Sequence, residues 1–177
     1  MITFETQRLL VRPRMMADLE DCLQMDRDPD VTRYIPGPWA DPAAHRAFVI
    51  DRMSRTYPDG LGYWSVFAKD LPQLFLGWVM LLPVEDNVGG VEMGWRLNRA
   101  SWGHGFATEA SQAVLDYAFV VLDLQKIVAE IAPGNTGSIR VAEKLGMAFV
   151  REHEIDGVTD RIYVTERMLE AEPGVER

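Results

Sequence analysis

The feature that most restricts the fold of this chain is a change of hydrophobic period across one glycine-bearing stretch. Val91-Glu-Met-Gly-Trp-Arg-Leu97 alternates in steps of two, as a strand with one face inward does, whereas Ala110, Val114, Ala118 and Val121 recur at helical spacing. Between them lies Trp102-Gly-His-Gly-Phe-Ala-Thr-Glu-Ala110. A strand that turns through glycines into a helix aims the helix's first unpaired N–H groups, and the positive end of its dipole, at whatever lies beyond the strand's carboxyl end. The stretch has the ingredients of an anion site and suits a pyrophosphate; a plain turn is the alternative.

The same transition recurs further on. Ile127, Ala129 and Ile131 share one face of a strand over Lys126–Ala132, Pro133-Gly134 breaks it, and Ile139, Ala142 and Leu145 mark a helix that Gly146 caps. Asn135-Thr-Gly-Ser138 sits at this second switch, where Asn and Ser are ordinary helix caps. Two successive switches of this kind gain weight as a pair, because ligands of α/β sheets lie beyond the carboxyl ends of strands.

Around this pair the chain reads as a strand at Leu9–Val11, a helix carrying Asp18, Leu19, Cys22, Leu23 and Met25, and a rigid aromatic loop at Tyr34–Trp39. Asp41-Pro42 starts a second helix running to about Tyr57, and Pro58-Asp-Gly60 turns into strands at Tyr63–Ala68 and Leu74–Leu82. A turn at Asp86–Gly90 precedes the alternating strand, and Asp156-Gly157 joins a terminal hairpin. Hairpin-linked strands beside strands joined by helical crossovers predict an α/β domain of the α+β type. Its central twisted mixed sheet has about six to seven strands, flanked by about four helices. The expected domain covers residues 1–170, with a polar tail at 171–177.

Composition narrows the partners. At 177 residues and 47% hydrophobic the chain can bury a core without staples, and a net charge of −9 argues against nucleic acid or an anionic membrane as main partner. Cys22 is the single cysteine, so no internal disulfide framework exists and a cytoplasmic setting is the simpler reading. The first residues lack the features of a signal peptide, and Leu74–Val84 is too short, and interrupted by Pro83, to span a bilayer. His45, His104 and His153 have no neighbours that suggest metal ligation, so no metal is expected. Gly103-x-Gly105 has Thr108 where a dinucleotide fingerprint needs its third glycine, and the loop lacks the Gly-Lys-Ser/Thr ending of a phosphate loop.

Glu92-Met-Gly-Trp95, Trp102-Gly-His-Gly-Phe-Ala-Thr-Glu-Ala110 and Asn135-x-x-Ser138 with Lys144-Leu-Gly-Met147 together resemble the GNAT acetyltransferases. Within them the chain is most similar to the branch that acetylates the N-terminal alanine of ribosomal proteins, and its opening Thr6-x-Arg-Leu-Leu-Val-Arg-Pro13 is also similar to that branch. The resemblance implies an acetyl-coenzyme A-dependent N-acetyltransferase that acts on a primary amine, either a peptide N-terminus or a small molecule. A noncatalytic acyl-coenzyme A-binding or regulatory domain is the alternative, and a homodimer is common among similar proteins. Gly105 and Ala107 match the fourth and sixth positions of the family's pyrophosphate loop, whose first position, Gln or Arg in the general pattern, holds Trp102 here. The cofactor contacts so implied are Trp95, Leu97, Trp102, Gly103, His104, Gly105, Phe106, Ala107, Thr108, Asn135 and Ser138. Of these, Trp95 and Leu97 border the pantetheine arm, and His104 serves through its backbone.

Direct attack by a neutral amine on the thioester needs a base, because an alkyl ammonium has a pKa near 10, and needs the departing thiolate stabilised or protonated. A backbone N–H near Trp95–Leu97 can polarise the carbonyl. Glu92 is the candidate base, since alternation turns it to the same face as Gly94; an exposed strand carboxylate is the alternative. Ser138 is the candidate acid by motif, with capping as the alternative. Tyr163 is the other candidate acid, or a core tyrosine.

Overall fold

The segment Gly62-Tyr-Trp-Ser-Val-Phe67 is buried at every position, so both of its faces must be covered. A computed structural model, describing residues 2–84, 90–155 and 157–167, shows how. The strands are β1 (Phe4–Glu5), β2 (Leu9–Pro13), β3 (Gly62–Ala68), β4 (Phe75–Pro83), β5 (Val91–Leu97), β6 (Lys126–Ile131), β7 (Ala148–Ile155) and β8 (Val158–Glu166). They form one sheet in the order β1-β2-β3-β4-β5-β6-β8-β7. The helices are α1 (Leu19–Asp26), α2 (Pro29–Thr32), α3 (Pro42–Ser54), α4 (Phe106–Val120) and α5 (Thr136–Lys144). Two cores result. Trp64, Val79, Met93 and Ile127 meet Val114 of α4 and Ala142 of α5 on one face, while Tyr63, Phe67 and Trp78 meet Cys22 of α1 and Val49 of α3 on the other.

This is the mixed α+β domain expected, with eight strands and five helices among the described residues. The additions are short. β1 has two residues, and α2 has four, capped by the Asp28 side chain, which accepts from the Asp30 N–H, with Pro29 at its first position. Asp28-Pro29 carries the same signal as Asp41-Pro42, whose carboxylate accepts from the N–H groups of Ala43 and Ala44. α3 stops at Ser54 rather than near Tyr57, because Arg55 is extended. Val121 lies past the end of α4 and is exposed, so the helical stripe ends at Ala118. The expected turns from Asp86 and at Asp156 fall, apart from Gly90 and Gly157, outside the described residues.

Every neighbouring pair of strands is antiparallel except β5 and β6. These two run parallel and share only the pairs Val91↔Ile127 and Glu92↔Val128. Beyond that point each strand is held by its outer neighbour alone: β5 by β4 as far as Leu97, and β6 by β8 as far as Ile131. The sheet therefore splits at its middle.

Gly77 helps hold the free end of β5. Its φ is +148°, and a Cβ there would stand 2.1 Å from the Arg96 carbonyl oxygen, so the two backbones approach as only glycine allows. Asn98 secures the end of the strand, its backbone N–H donating to Leu76 and its side-chain amide to the Phe75 carbonyl. Gly77→Ala is expected to destabilise the protein by about 3 kcal/mol. Thermal denaturation should show a midpoint lower by roughly 6–12 °C.

Candidate active site at the split in the sheet

The split opens into a cleft of about 750 Å³. One wall is Trp95–Leu97 of β5 with the glycine loop and first turn of α4, and the other is Gly134–Ser138 with the exposed flank of α5. Gly103 and Gly105 both have φ of +79°, a left-handed conformation that costs other residues about 1 kcal/mol or more. Gly105 is the N-cap of α4 and has no capping side chain, and the first helical bond runs from the Glu109 N–H to its carbonyl. The N–H groups of Phe106, Ala107 and Thr108 precede that bond and line the cleft wall, leaving a fifteen-residue helix with an uncapped N-terminus facing the space.

The loop is tied from the other end of the chain. Glu109 accepts from the Thr6 hydroxyl (2.6 Å), the Arg8 backbone N–H (2.9 Å) and the Arg8 Nε (2.7 Å). The Arg8 Nη1 in turn donates to the His104 carbonyl at 3.0 Å, and its guanidinium lies 4.6 Å from the centre of the Phe106 ring. Burial pushes the Glu109 carboxyl toward protonation, but the hydrogen bonds from Thr6 and Arg8 outweigh it and hold the pKa below the ordinary glutamate value. Trp102 closes the loop onto the strand, its indole N–H donating to the Leu97 carbonyl at 3.0 Å. That is the work of the aromatic that stands where the general pattern has Gln or Arg.

Trp95, Leu97, Trp102, Gly103, Gly105, Phe106, Ala107, Thr108, Asn135 and Ser138 all line the cleft. The His104 side chain does not; its ring is exposed, stacks on Phe106 at 5.7 Å and borders a neighbouring groove. That groove holds about 780 Å³ but has neither the N–H groups of Ala107 and Thr108 nor any part of α5. The Asn135 Oδ1 caps α5, accepting from the Ser138 N–H at 3.2 Å, while the Ser138 hydroxyl makes no hydrogen bond among the described residues.

Glu92 stands at the apex of the split, in the last pair β5 shares with β6. By alternation it shares a face with Gly94 and Arg96, and the contacts of Arg96 identify that face as the one under α1 and α3. Tyr163 is not brought to the site. It is 4% exposed, packs into the core on the α4 and α5 face, and meets Phe149 edge-on. It does not line the cleft, and this placement matches the core tyrosine that the sequence offered beside the acid.

The aromatic loop divides its labour. Trp39 plugs the space between α3 and β5, with His45 and Phe48 against its ring and its N–H on the Ile35 carbonyl. Tyr34 lines the cleft and reaches across to the far wall, where a Cβ on Gly134 would meet its ring at 3.0 Å. Beneath Trp39, the buried Asp26 accepts from the Arg96 Nη1 at 2.7 Å and faces the His45 Nε2 at 3.4 Å. Burial pushes the Cys22 thiol up to about 12, so the single cysteine is no nucleophile at neutral pH. Among the described residues no cluster of His, Cys, Asp or Glu forms a metal site, and no helix is long and apolar enough to cross a membrane. The sequence reading missed the roles of Arg8 and Glu109, which only the tertiary fold joins, and of Arg33, Arg140 and Lys144, which line the cleft.

Residues 8–148 match the acetyltransferase (GNAT) domain, and the chain belongs to that family. It is 30% identical over 158 residues to the uncharacterized N-acetyltransferase p20 of Bacillus licheniformis, covering 87% of this chain and 88% of that one. A GNAT-family acetyltransferase of Bacillus anthracis superposes with a TM-score of 0.78 at 27% identity, over 93% of this chain and 98% of that one. The ribosomal-protein-S5-alanine acetyltransferase of Vibrio fischeri shares the fold, with a TM-score of 0.70 at 18% identity over 94% and 97%. The chain is an N-acetyltransferase of the GNAT family, and that membership implies acetyl-coenzyme A as its cosubstrate.

Because the folded pKa of Glu109 is depressed, its clamp contributes stability above the ordinary glutamate value of about 4.3 and loses it as pH falls through the lower folded value. Thermal midpoints measured from pH 6 to pH 3 should therefore fall more steeply for the wild type than for Glu109→Gln. Parallel curves would remove the clamp from the stability of the loop.

Proposed function

We propose that the cleft binds acetyl-coenzyme A with its pyrophosphate on the N–H groups of the Gly103–Thr108 loop and its pantetheine arm along the unpaired edge of β5. The observation that carries this reading is the parting of β5 and β6 after Glu92 and Val128, which leaves the β5 edge open between two strand-to-helix turns. An extended amide-bearing chain adds to such an edge as another strand would.

The acceptor amine attacks the thioester carbonyl from the α1 and α3 face. Its lone pair forms the new C–N bond, and the C–S bond breaks to release the coenzyme thiolate. A backbone N–H at Trp95–Leu97 stabilises the carbonyl oxygen as it becomes anionic. Glu92, at the apex, takes the ammonium proton directly or through water, and the Ser138 hydroxyl relays a proton from solvent water to the thiolate, so that the serine stays neutral. No enzyme side chain is acylated. Peptide N-termini and small primary amines are the acceptor classes, and N-terminal peptides of ribosomal proteins are the first to test because the Thr6–Pro13 opening resembles that branch.

Calorimetric titration with acetyl-coenzyme A should give micromolar binding for the wild type and none for a folded Gly105→Glu variant, whose side chain needs a strained φ and sets a carboxylate at the anion cradle. No binding by folded wild type would overturn the site. Glu92→Gln should lower kcat about 10²- to 10⁴-fold with an unchanged affinity for acetyl-coenzyme A. Retention of full turnover would dismiss Glu92 as the base. Binding without transfer to any peptide or amine in a broad panel would identify a noncatalytic acyl-coenzyme A-binding domain.

A further inference from the structure

The charges along the cleft are unevenly matched. Five cationic side chains line it: Arg33, Arg96, Arg99, Arg140 and Lys144. Arg96 is committed to Asp26 at 2.7 Å and Arg99 to Asp30 at 2.9 Å. Arg33, Arg140 and Lys144 have no carboxylate within 4 Å among the described residues, in a chain whose net charge is −9. Other cations, such as Arg27 and Arg151, also lack a carboxylate partner among the described residues; what distinguishes these three is that they line one cavity together.

Two of these three stand together. Gly137, Arg140, Val141 and Lys144 face the cleft from α5 at intervals of three and four residues, which places them in one stripe along the helix. Gly137 adds no side chain, Val141 packs partly into the core, and Arg140 and Lys144 are exposed one turn apart. The single carboxylate of α5, Glu143, forms no ion pair with either. Two like charges at this spacing repel each other and destabilise a helix modestly, and a dianion between them reverses that sign.

The glycine loop on the opposite wall is built differently. It offers backbone N–H groups and one histidine, and Arg8, the arginine nearest to it, is committed to Glu109 and His104. Backbone N–H groups suit the bridging pyrophosphate. A terminal phosphate monoester carries up to two charges on freely rotating oxygens, and side-chain cations match it better.

We infer that Arg140 and Lys144 form a second phosphate subsite, which takes the 3′-phosphate of coenzyme A and makes the enzyme discriminate coenzyme A from its 3′-dephospho form. This rests on the reading of the cleft as the coenzyme A site. It adds a residue-level origin for nucleotide specificity that neither the glycine loop nor the strand edge can supply, since both see the same groups in the two ligands.

The test is titration of the wild type, Arg140→Gln/Lys144→Gln and Arg140→Lys/Lys144→Arg proteins with coenzyme A and with 3′-dephospho-coenzyme A. The wild type should bind coenzyme A about ten-fold or more tightly than the dephospho form. The Gln pair should bind both ligands equally, with its affinity for the dephospho form unchanged, and the charge-conserving pair should restore the preference. Equal affinity of the wild type for the two ligands overturns the subsite and leaves the cleft assignment standing. Equal weakening of both ligands in the Gln pair also overturns it, because the cations then serve the pyrophosphate. Binding of neither ligand by folded wild type overturns the cleft assignment and this inference with it. Circular dichroism on each variant confirms that exposed substitutions on α5 have left the fold intact.

Discussion

The site depends on an interaction that stops early. Had β5 and β6 continued to pair past Glu92 and Val128, the sheet would be continuous and the carboxyl end of β5 would have no open edge. Each strand survives the separation because its other side is fully laddered, through Leu97 against β4 and through Ile131 against β8. Parallel pairing is slightly weaker per residue than antiparallel pairing, so the one parallel junction in the sheet is also where separation costs least. The loops that follow, glycine-bearing after β5 and Asn135-capped after β6, then open toward the same gap.

Buried charge holds the face under α1 and α3. Asp18, 2% exposed, accepts two hydrogen bonds from Arg12, one from Ser65 and one from the Met15 N–H, which ties β2 and β3 to the turn that begins α1. Burial alone would raise its pKa, but those partners keep the carboxyl below its ordinary value. Asp26 at the other end of α1 is pinned to Arg96, whose guanidinium lies against the rings of Trp39 and Trp78. Buried ion pairs of this kind contribute little net stability, yet deleting one partner is costly, so they fix where α1 lies more than how firmly it is held. Arg96 is thereby fixed on the cleft wall beside the open edge.

The alternation of Val91–Leu97 and the glycines after it set both the strand and the cradle, and β5 occupies the residues that the pattern indicates. Asn135 was legible as a cap for the same local reason. What sequence could not show was tertiary register. Nothing in the side-chain pattern of β6 says that pairing with β5 ends at Val128, because side chains record which face is buried and not which backbone edge is shared. Glu109 has no local partner to mark its role, because Thr6 and Arg8 lie about a hundred residues away. Tyr163 could have faced either side of the sheet, and only the pairing Ala129↔Tyr163 turns it into the core. Asp28-Pro29 carries a helix-start signal, but a four-residue helix shows no hydrophobic period of its own to support it.

The charge distribution separates how the two proposed ligands reach the cleft. A chain of net charge −9 repels an anion as large as coenzyme A at long range and attracts an ammonium, and at physiological salt both effects fade beyond about 8 Å. Attraction for the coenzyme must therefore be made at contact, by the N–H groups of the α4 terminus and by cations that have no internal partner. Arg33, Arg140 and Lys144 stand on the cleft wall, while Asp30, the carboxylate that lines the same cleft, is paired with Arg99. An amine meets the opposite arrangement, a surface that draws it in and, at the apex of the split, Glu92 on the face under α1 and α3. On the proposed reading the coenzyme lies along the open edge of β5 and the amine comes from the face under α1 and α3, each meeting charge of the other sign.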